Sequence, residues 1–163
     1  KTQQQIKTKR TQQLFEALGA NANVESFAES YLINLSQNAQ LIDNALNTVQ
    51  NLAKTHGLVL MTNGMTKVQR PRFTYSPLSK YFQHIIISEE IRHSKPSKQI
   101  FDYAFEKMQN PIKSEVLIIG DNLGSDIQGG VNYGIDSMWY NPNLISTKHN
   151  ATYELNDLLD LIF

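Results

Sequence analysis

Asp121 and Asp126 stand five residues apart in EVLIIGDNLGSDIQGG, residues 115–130. The apolar run from Val116 to Ile119 ends in Gly120 and releases Asp121 into a short loop, and Asp126 falls where a helix is expected to begin. Two carboxylates at the carboxyl end of a buried strand are costly unless a cation holds them. Mg²⁺ takes oxygen ligands and usually keeps only one or two protein carboxylates, so the pair points to magnesium-dependent chemistry on a phosphate. Two more polar clusters precede it, Thr62-Asn63-Gly64 and Lys95-Pro96. A hydroxyl and backbone N–H groups at a helix start can hold phosphoryl oxygens, and Gly64 lets the backbone approach a ligand closely. A lysine neutralises charge on a phosphoryl group and a nearby nucleophile. The acidic pair places the metal that stabilises the transition state. Taken singly, each cluster reads as a turn, a helix cap, a solvated lysine before a helix-starting proline or a first-turn acid. Their joint order along the chain favours the functional reading.

The elements that must position these groups follow from hydrophobic periodicity. Residues 1–56 read as helical. Ile6, Leu14, Phe15 and Leu18 mark a first helix stopped at Gly19, and Val24, Phe27, Tyr31, Leu32 and Leu35 mark a second. Leu41, Ile42, Ala45, Leu46, Val49 and Leu52 mark a third, ending near His56-Gly57. From Gly57 the pattern alternates. Strands are expected at 58–61, 84–88, 116–119 and 137–140, with helices at about 97–108, at about 125–133 closed by Gly134, and finally at about 153–162. Near-continuous apolar strands separated by helices argue for an α/β fold with a parallel sheet covered on both faces. Ligands bind such sheets outside the carboxyl ends of the strands, which is where Thr62 and Asp121 would emerge together, with Lys95 on the loop that enters the next helix.

Composition narrows the function classes. The 163 residues carry 15 basic and 15 acidic side chains and no cysteine. Zero net charge gives no electrostatic reason to expect a nucleic-acid or membrane partner. Lack of cysteine excludes disulfides, thiolate zinc sites and a cysteine nucleophile, and fits a cytoplasmic protein. No apolar run is long enough to span a bilayer, and the basic start KTQQQIKTKRTQQ lacks a signal-peptide core. The first residue is Lys1, a hint of further sequence upstream. Tyr31, Phe73 and Tyr75 could stack on a base, although core or surface packing is the better expectation, and Trp139 is expected in the core.

TNG after one strand, KP after the next and GDNLGSD after the third resemble the second, third and fourth motifs of the haloacid dehalogenase-like phosphatase superfamily. The longer strings TNGMTKVQRPRF, SPLSKYFQHIIISEEIRHSKPSKQIFDYAFEKM and VLIIGDNLGSDIQGGVNYGIDSMWYN are similar to its pyrimidine 5′-nucleotidase branch. The resemblance is strong over residues 41–163, which it makes a three-layer Rossmann-like core. Residues 1–40 look like a remnant of that family's helical cap. It implies a phosphate bound by Thr62 with the backbone around Asn63 and Gly64. It implies Lys95 steadying the nucleophile and the phosphate, and Mg²⁺ held by Asp121, with Asp126 a direct or more distant partner. The substrate would be a small phosphate monoester such as a nucleoside 5′-monophosphate. The GDxxxxD pattern favours a magnesium phosphatase over a true dehalogenase.

One departure matters. The family's aspartate nucleophile and its acid–base aspartate lie in an Asp-X-Asp motif at the end of a central first strand, and this chain contains no Asp-X-Asp. Asp157 and Asp160 are expected in the last helix at the wrong spacing, and Asp43 opens a helix. Without that strand, the TNG strand and the GDNLGSD strand lose a neighbour between them. The expectation is a fragment of a longer phosphatase, inactive by itself, with its first strand upstream of Lys1. The oligomeric state is open, and an unpaired interior strand raises the chance of a swapped homodimer. A non-catalytic truncated relative is the alternative. A phospho-receiver domain fits less well, because its acidic pair comes first in the chain and here it comes last.

Overall fold

A computed structural model describes residues 3–20 and 23–162, with side chains from residue 8 onward. In chain order its elements are α1 (Gln3–Leu18), α2 (Val24–Gln37), α3 (Ala45–Leu52), β1 (Val59–Thr62), α4 (Thr66–Tyr75), β2 (His84–Ile87) and α5 (Ser88–Ile91). They continue with α6 (Lys98–Lys107), β3 (Leu117–Gly120), a π-turn (Leu123–Ile127), α7 (Gln128–Tyr133), β4 (Asp136–Tyr140), β5 (Tyr153–Leu155) and a 3₁₀ turn (Leu158–Leu161). The helix stops expected at Gly19 and Gly134 follow α1 and α7 directly. The side chain of Ile6, assigned to the apolar face of the first helix, lies outside the described residues.

The chain forms two compact units, residues 1–40 with 65–76 and residues 41–64 with 77–163. In the first, α2 packs on both α1 and α4. Met65 and Val68 are buried against Leu32, with Leu35 alongside, and Phe15 meets Phe27 edge-to-face with centroids 5.1 Å apart. Helix α4 is absent from the sequence-based expectation. It carries Pro71 in its interior, which removes one backbone hydrogen bond, and few apolar residues. Burial of Val68 against α2 outweighs that local handicap.

In the second unit the strands are parallel but form two sheets. One is β1-β2, with Val59 opposite His84 through Thr62 opposite Ile87, and the other is β3-β4-β5. Among the described residues, β1 pairs only with β2 and β3 only with β4. The two sheets share a core in which Val59, Met61 and Ile86 pack with Val116, Ile118 and Ile135 around Ile100, Phe101, Ala104 and Phe105 of α6. Ile86 and Ile87 are buried, whereas Leu117 and Ile119 of β3 are each 39% exposed. The interior-type strand β3 is thus open on one edge and on one face.

The last element corrects the expectation of a helix over 153–162. Tyr153–Leu155 instead joins the sheet beside Met138–Tyr140, where Leu155 is buried and Tyr153 stays exposed. Asp157 caps the 3₁₀ turn by accepting from the Leu159 N–H at 2.9 Å. Asn44 donates to Asp157, and Thr48 donates to the Leu158 carbonyl at 3.0 Å, which ties the chain end to α3.

Candidate active site

Three strand ends supply the polar groups, and one side chain joins them. Lys95 donates its ammonium to the Met61 carbonyl of β1 at 2.8 Å and pairs with Asp126 Oδ1 at 2.7 Å. The Lys95 and Asp126 side chains are only 11% and 8% exposed. A single lysine therefore links the end of the β1-β2 sheet to the loop that leaves the β3-β4-β5 sheet, and the carboxyl ends of β1 and β3 meet at one rim, as expected. Asn63 fixes the backbone of Lys95 from both sides, donating to the Lys95 carbonyl and accepting from the Lys95 N–H, each at 2.8 Å. Its side chain is committed to this clip. Lys95 precedes Pro96 across a cis peptide bond.

Asp126 is held as firmly. Its Oδ2 accepts from the Asn122 N–H at 3.1 Å and its Oδ1 accepts from the Ser125 hydroxyl at 3.3 Å. Asn122 in turn opens the π-turn, accepting from the N–H groups of Gly124 and Ser125 at 3.0 and 2.9 Å. A buried carboxylate with a cation and two further donors is a satisfied charge. Gly120 makes room for it: a Cβ at that position would stand 2.5 Å from Asp126 Cγ, so the close approach requires glycine.

Thr62 and Asp121 are the less committed pair. The Thr62 hydroxyl oxygen accepts from the Gly64 N–H at 3.1 Å, which leaves its proton for another acceptor. The Asp121 carboxylate is exposed and has no hydrogen-bond or ion-pair partner among the described residues, while its backbone carbonyl accepts from the buried Trp139 indole N–H at 3.1 Å. Asp121 and Asp126 thus differ in kind. One is an open oxygen ligand and the other is a carboxylate already neutralised by Lys95.

The geometry brings Lys95 together with Asp126, Asn63 and the end of β1. Sequence reasoning missed the Met61 carbonyl, the Asn122 cap, the Gly120 clearance and the Trp139 N–H. A backbone carbonyl leaves no sequence signal. Asn122 did offer one, as an Asx residue one step before a helical run. Trp139 is buried as expected, but its N–H also reaches the loop that carries Asp121. Tyr31 and Tyr75 are exposed. No group of three or more His, Cys, Asp or Glu side chains able to hold a metal occurs among the described residues. The exposed Asp121 carboxylate and the Asp126 carboxylate neutralised by Lys95 make a donor set that fits the one or two protein carboxylates Mg²⁺ usually takes.

Residues 1–140 match the family model described as haloacid dehalogenase-like hydrolase. The chain is 32% identical to pyrimidine 5′-nucleotidase PynA of Streptococcus pneumoniae over 99% of its own length and 69% of that protein. It is 34% identical to pyrimidine 5′-nucleotidase YjjG of Escherichia coli over 78% of its own length and 57% of that protein. Its fold superposes on the crystal structure of YfnB from Bacillus subtilis bound to magnesium with a TM-score of 0.91 and 32% identity, covering 99% of this chain and 72% of that one.

Proposed function

The chain belongs to the haloacid dehalogenase-like hydrolases, and from that premise we propose that it forms the greater part of a Mg²⁺-dependent phosphatase acting on small phosphate monoesters, nucleoside 5′-monophosphates among them. The observation that carries this reading is the Lys95–Asp126 pair closed against the end of β1, together with the Asp121 carboxylate, unpartnered among the described residues, and the free Thr62 proton. Thr62 donates to a phosphoryl oxygen. Lys95 holds positive charge at the rim, where a phosphoryl group and an attacking carboxylate both carry negative charge. Asp121 is the protein ligand to Mg²⁺, and Asp126 acts mainly by keeping Lys95 in place. The metal, when bound, offsets charge that builds on the phosphoryl oxygens. PynA and YjjG are named pyrimidine 5′-nucleotidases, which supports the nucleotide substrate class.

The reaction also needs a nucleophile to form an aspartyl-phosphate, and these 163 residues contain no Asp-X-Asp. A strand bearing it would sit, in this reading, between the edges of β1 and β3 that are unpaired among the described residues, with its carboxyl end at Lys95. We read residues 1–40 as part of the cap. The test is phosphate release from a panel of nucleoside 5′-monophosphates and sugar phosphates, with Mg²⁺ or with EDTA. The 163-residue chain is compared with the same chain joined to an apolar strand ending in Asp-X-Asp. Release is expected only from the joined form with Mg²⁺, and Lys95→Ala in that form should abolish it. Turnover by the 163-residue chain alone would overturn the assignment of the nucleophile. Turnover in Lys95→Ala would overturn the role of Lys95. The absent Asp-X-Asp also favours one other reading, a non-catalytic relative that only binds phosphate, and silence from the joined form would favour it.

A further inference from the structure

Lys95 enters the site from a loop and Asp126 from the π-turn, and each segment runs at once into a helix: α6 begins at Lys98 and α7 at Gln128. Their ion pair therefore needs α6 and α7 to hold one mutual register. A cluster at the far end of α7 fixes it. Tyr133, the last residue of α7, donates its hydroxyl to Asp102 Oδ1 of α6 at 3.0 Å. Its ring stacks on Phe101 with centroids 5.2 Å apart and packs on Phe105 at 4.9 Å. The Lys113 ammonium lies 4.2 Å from the ring centroid and donates to the Tyr133 carbonyl. Lys98 holds Asp102 from one turn back, at 2.6 Å.

The near end of α7 meets α6 just as closely. A Cβ on Gly129 would come within 2.7 Å of the Phe101 ring and 3.3 Å of the Pro96 Cα, so the contact admits only glycine. Phe101 is thus touched at both ends of α7, and Pro96 is the residue next to Lys95. Among the described residues, neither Tyr133 nor Asp102 hydrogen-bonds or ion-pairs with Thr62, Lys95 or Asp126. They bear on the site only through the helices that carry it.

We propose that the Tyr133–Asp102 hydrogen bond is a positioning latch: by tying the end of α7 to α6, it sets the approach of Asp126 to Lys95. Both are positioning residues. Their bearing on catalysis rests on the proposed function, but the latch itself does not.

Trace acetylation of lysines in the 163-residue chain, read residue by residue by mass spectrometry, tests it with neither substrate nor Mg²⁺. An ammonium held in a buried pair reacts only when it leaves that pair, whereas Lys54, at the end of α3, serves as an exposed reference. In Asp126→Asn, Lys95 should label about tenfold faster or more, since its counter-charge is gone. Tyr133→Phe keeps the ring contacts and loses only the hydroxyl, and Lys95 should then label about threefold faster, since only part of the cost of losing a hydrogen bond to a charged group is passed on to the distant ion pair. Asp102→Ala should match Tyr133→Phe, while Asp102→Asn keeps an acceptor for Tyr133 and should stay near the parent rate. The latch is refuted if Lys95 keeps its parent rate in both Tyr133→Phe and Asp102→Ala. It is refuted too if Lys54 accelerates in step with Lys95, or if Lys95 is already fast in the parent. Failure of the phosphatase reading would appear only in the phosphate-release assay and would leave these rates untouched.

Discussion

Lys95 and Asp126 close a polar junction in which every charged oxygen has a partner, whereas β1 and β3, whose carboxyl ends flank that junction, each lack, among the described residues, a strand on one side. The contrast extends to the apolar residues. Ile86 of β2 is buried, while Leu117 and Ile119 of β3 are half in solvent. Both regions belong to the same compact unit, and they differ in what completes them. The junction draws on side chains and loops within reach of α6 and α7. A parallel strand can be completed only by another strand, because its backbone N–H and C=O groups need partners along the whole edge. The charged part of a site can thus be preorganised while the sheet beneath it is still open.

The most extensive effect, spread along two strands, should come from filling the opening. When a strand ending in Asp-X-Asp is joined to the chain, amide exchange in β1 and β3 should slow by about tenfold or more, as open edges gain hydrogen-bond partners. Exchange in α6 and α7 should change far less. Equal slowing in both regions would erase the distinction drawn here. The junction is attacked next. Asp126→Ala leaves a nearly buried ammonium unpaired and should cost roughly 3–5 kcal/mol in denaturant unfolding, whereas Asp121→Ala should cost under about 0.5 kcal/mol because its carboxylate is exposed and unpartnered. A large loss in Asp121→Ala would show a partner for it that the structure lacks. The apolar side gives a third comparison. Ile86→Ala should cost about 2–5 kcal/mol, and Ile119→Ala distinctly less, since much of its side chain is already in water.

The last comparison is a pH dependence at the far end of α7. Burial, aided by the hydrogen bond to Asp102 and its charge, pushes the Tyr133 phenol up to about 12 from its ordinary value of 10.0. Between those values the unfolded chain has lost the phenolic proton and the folded chain keeps it, so folding binds the extra proton and stability falls as pH rises. The contribution is intact below pH 10 and is lost on passing through about 12. Tyr133→Phe should flatten that stretch of the stability–pH curve relative to the parent, and an unchanged slope would remove Tyr133 from the alkaline transition. On the acid side, the hydrogen bond from Lys98 holds Asp102 below the usual carboxylate range.

Much of this was legible in the sequence, and the reasons differ by element. The four strands at 58–61, 84–88, 116–119 and 137–140 were marked by continuous apolar runs, and each forms within a residue or two of its expected place. The third helix begins later than its apolar pattern, at Ala45. Helix α4 was hidden because its sequence, with an interior proline and few apolar residues, carries almost no periodic signal. The expected C-terminal helix failed because Tyr153, Leu155, Leu158 and Leu161 suit a helix face as well as a strand followed by a turn. A vacant edge on β4 decided the matter. At the candidate site, the residue types and their order pointed to Thr62, Lys95, Asp121 and Asp126. Which carboxylate would be free could not be read, since it depends on Lys95 turning toward Asp126 and on a clearance at Gly120 that only the folded backbone reveals.

That clearance has a mutational consequence. Gly120 is the last residue of β3 and is not itself buried, so it has the look of a tolerant strand-end position. Yet every other amino acid brings a Cβ into the space that Asp126 fills. A saturation scan of this protein should find Gly120 as intolerant as Lys95, with alanine failing almost as badly as tryptophan, because the first carbon added does the damage and the rest of the side chain adds little.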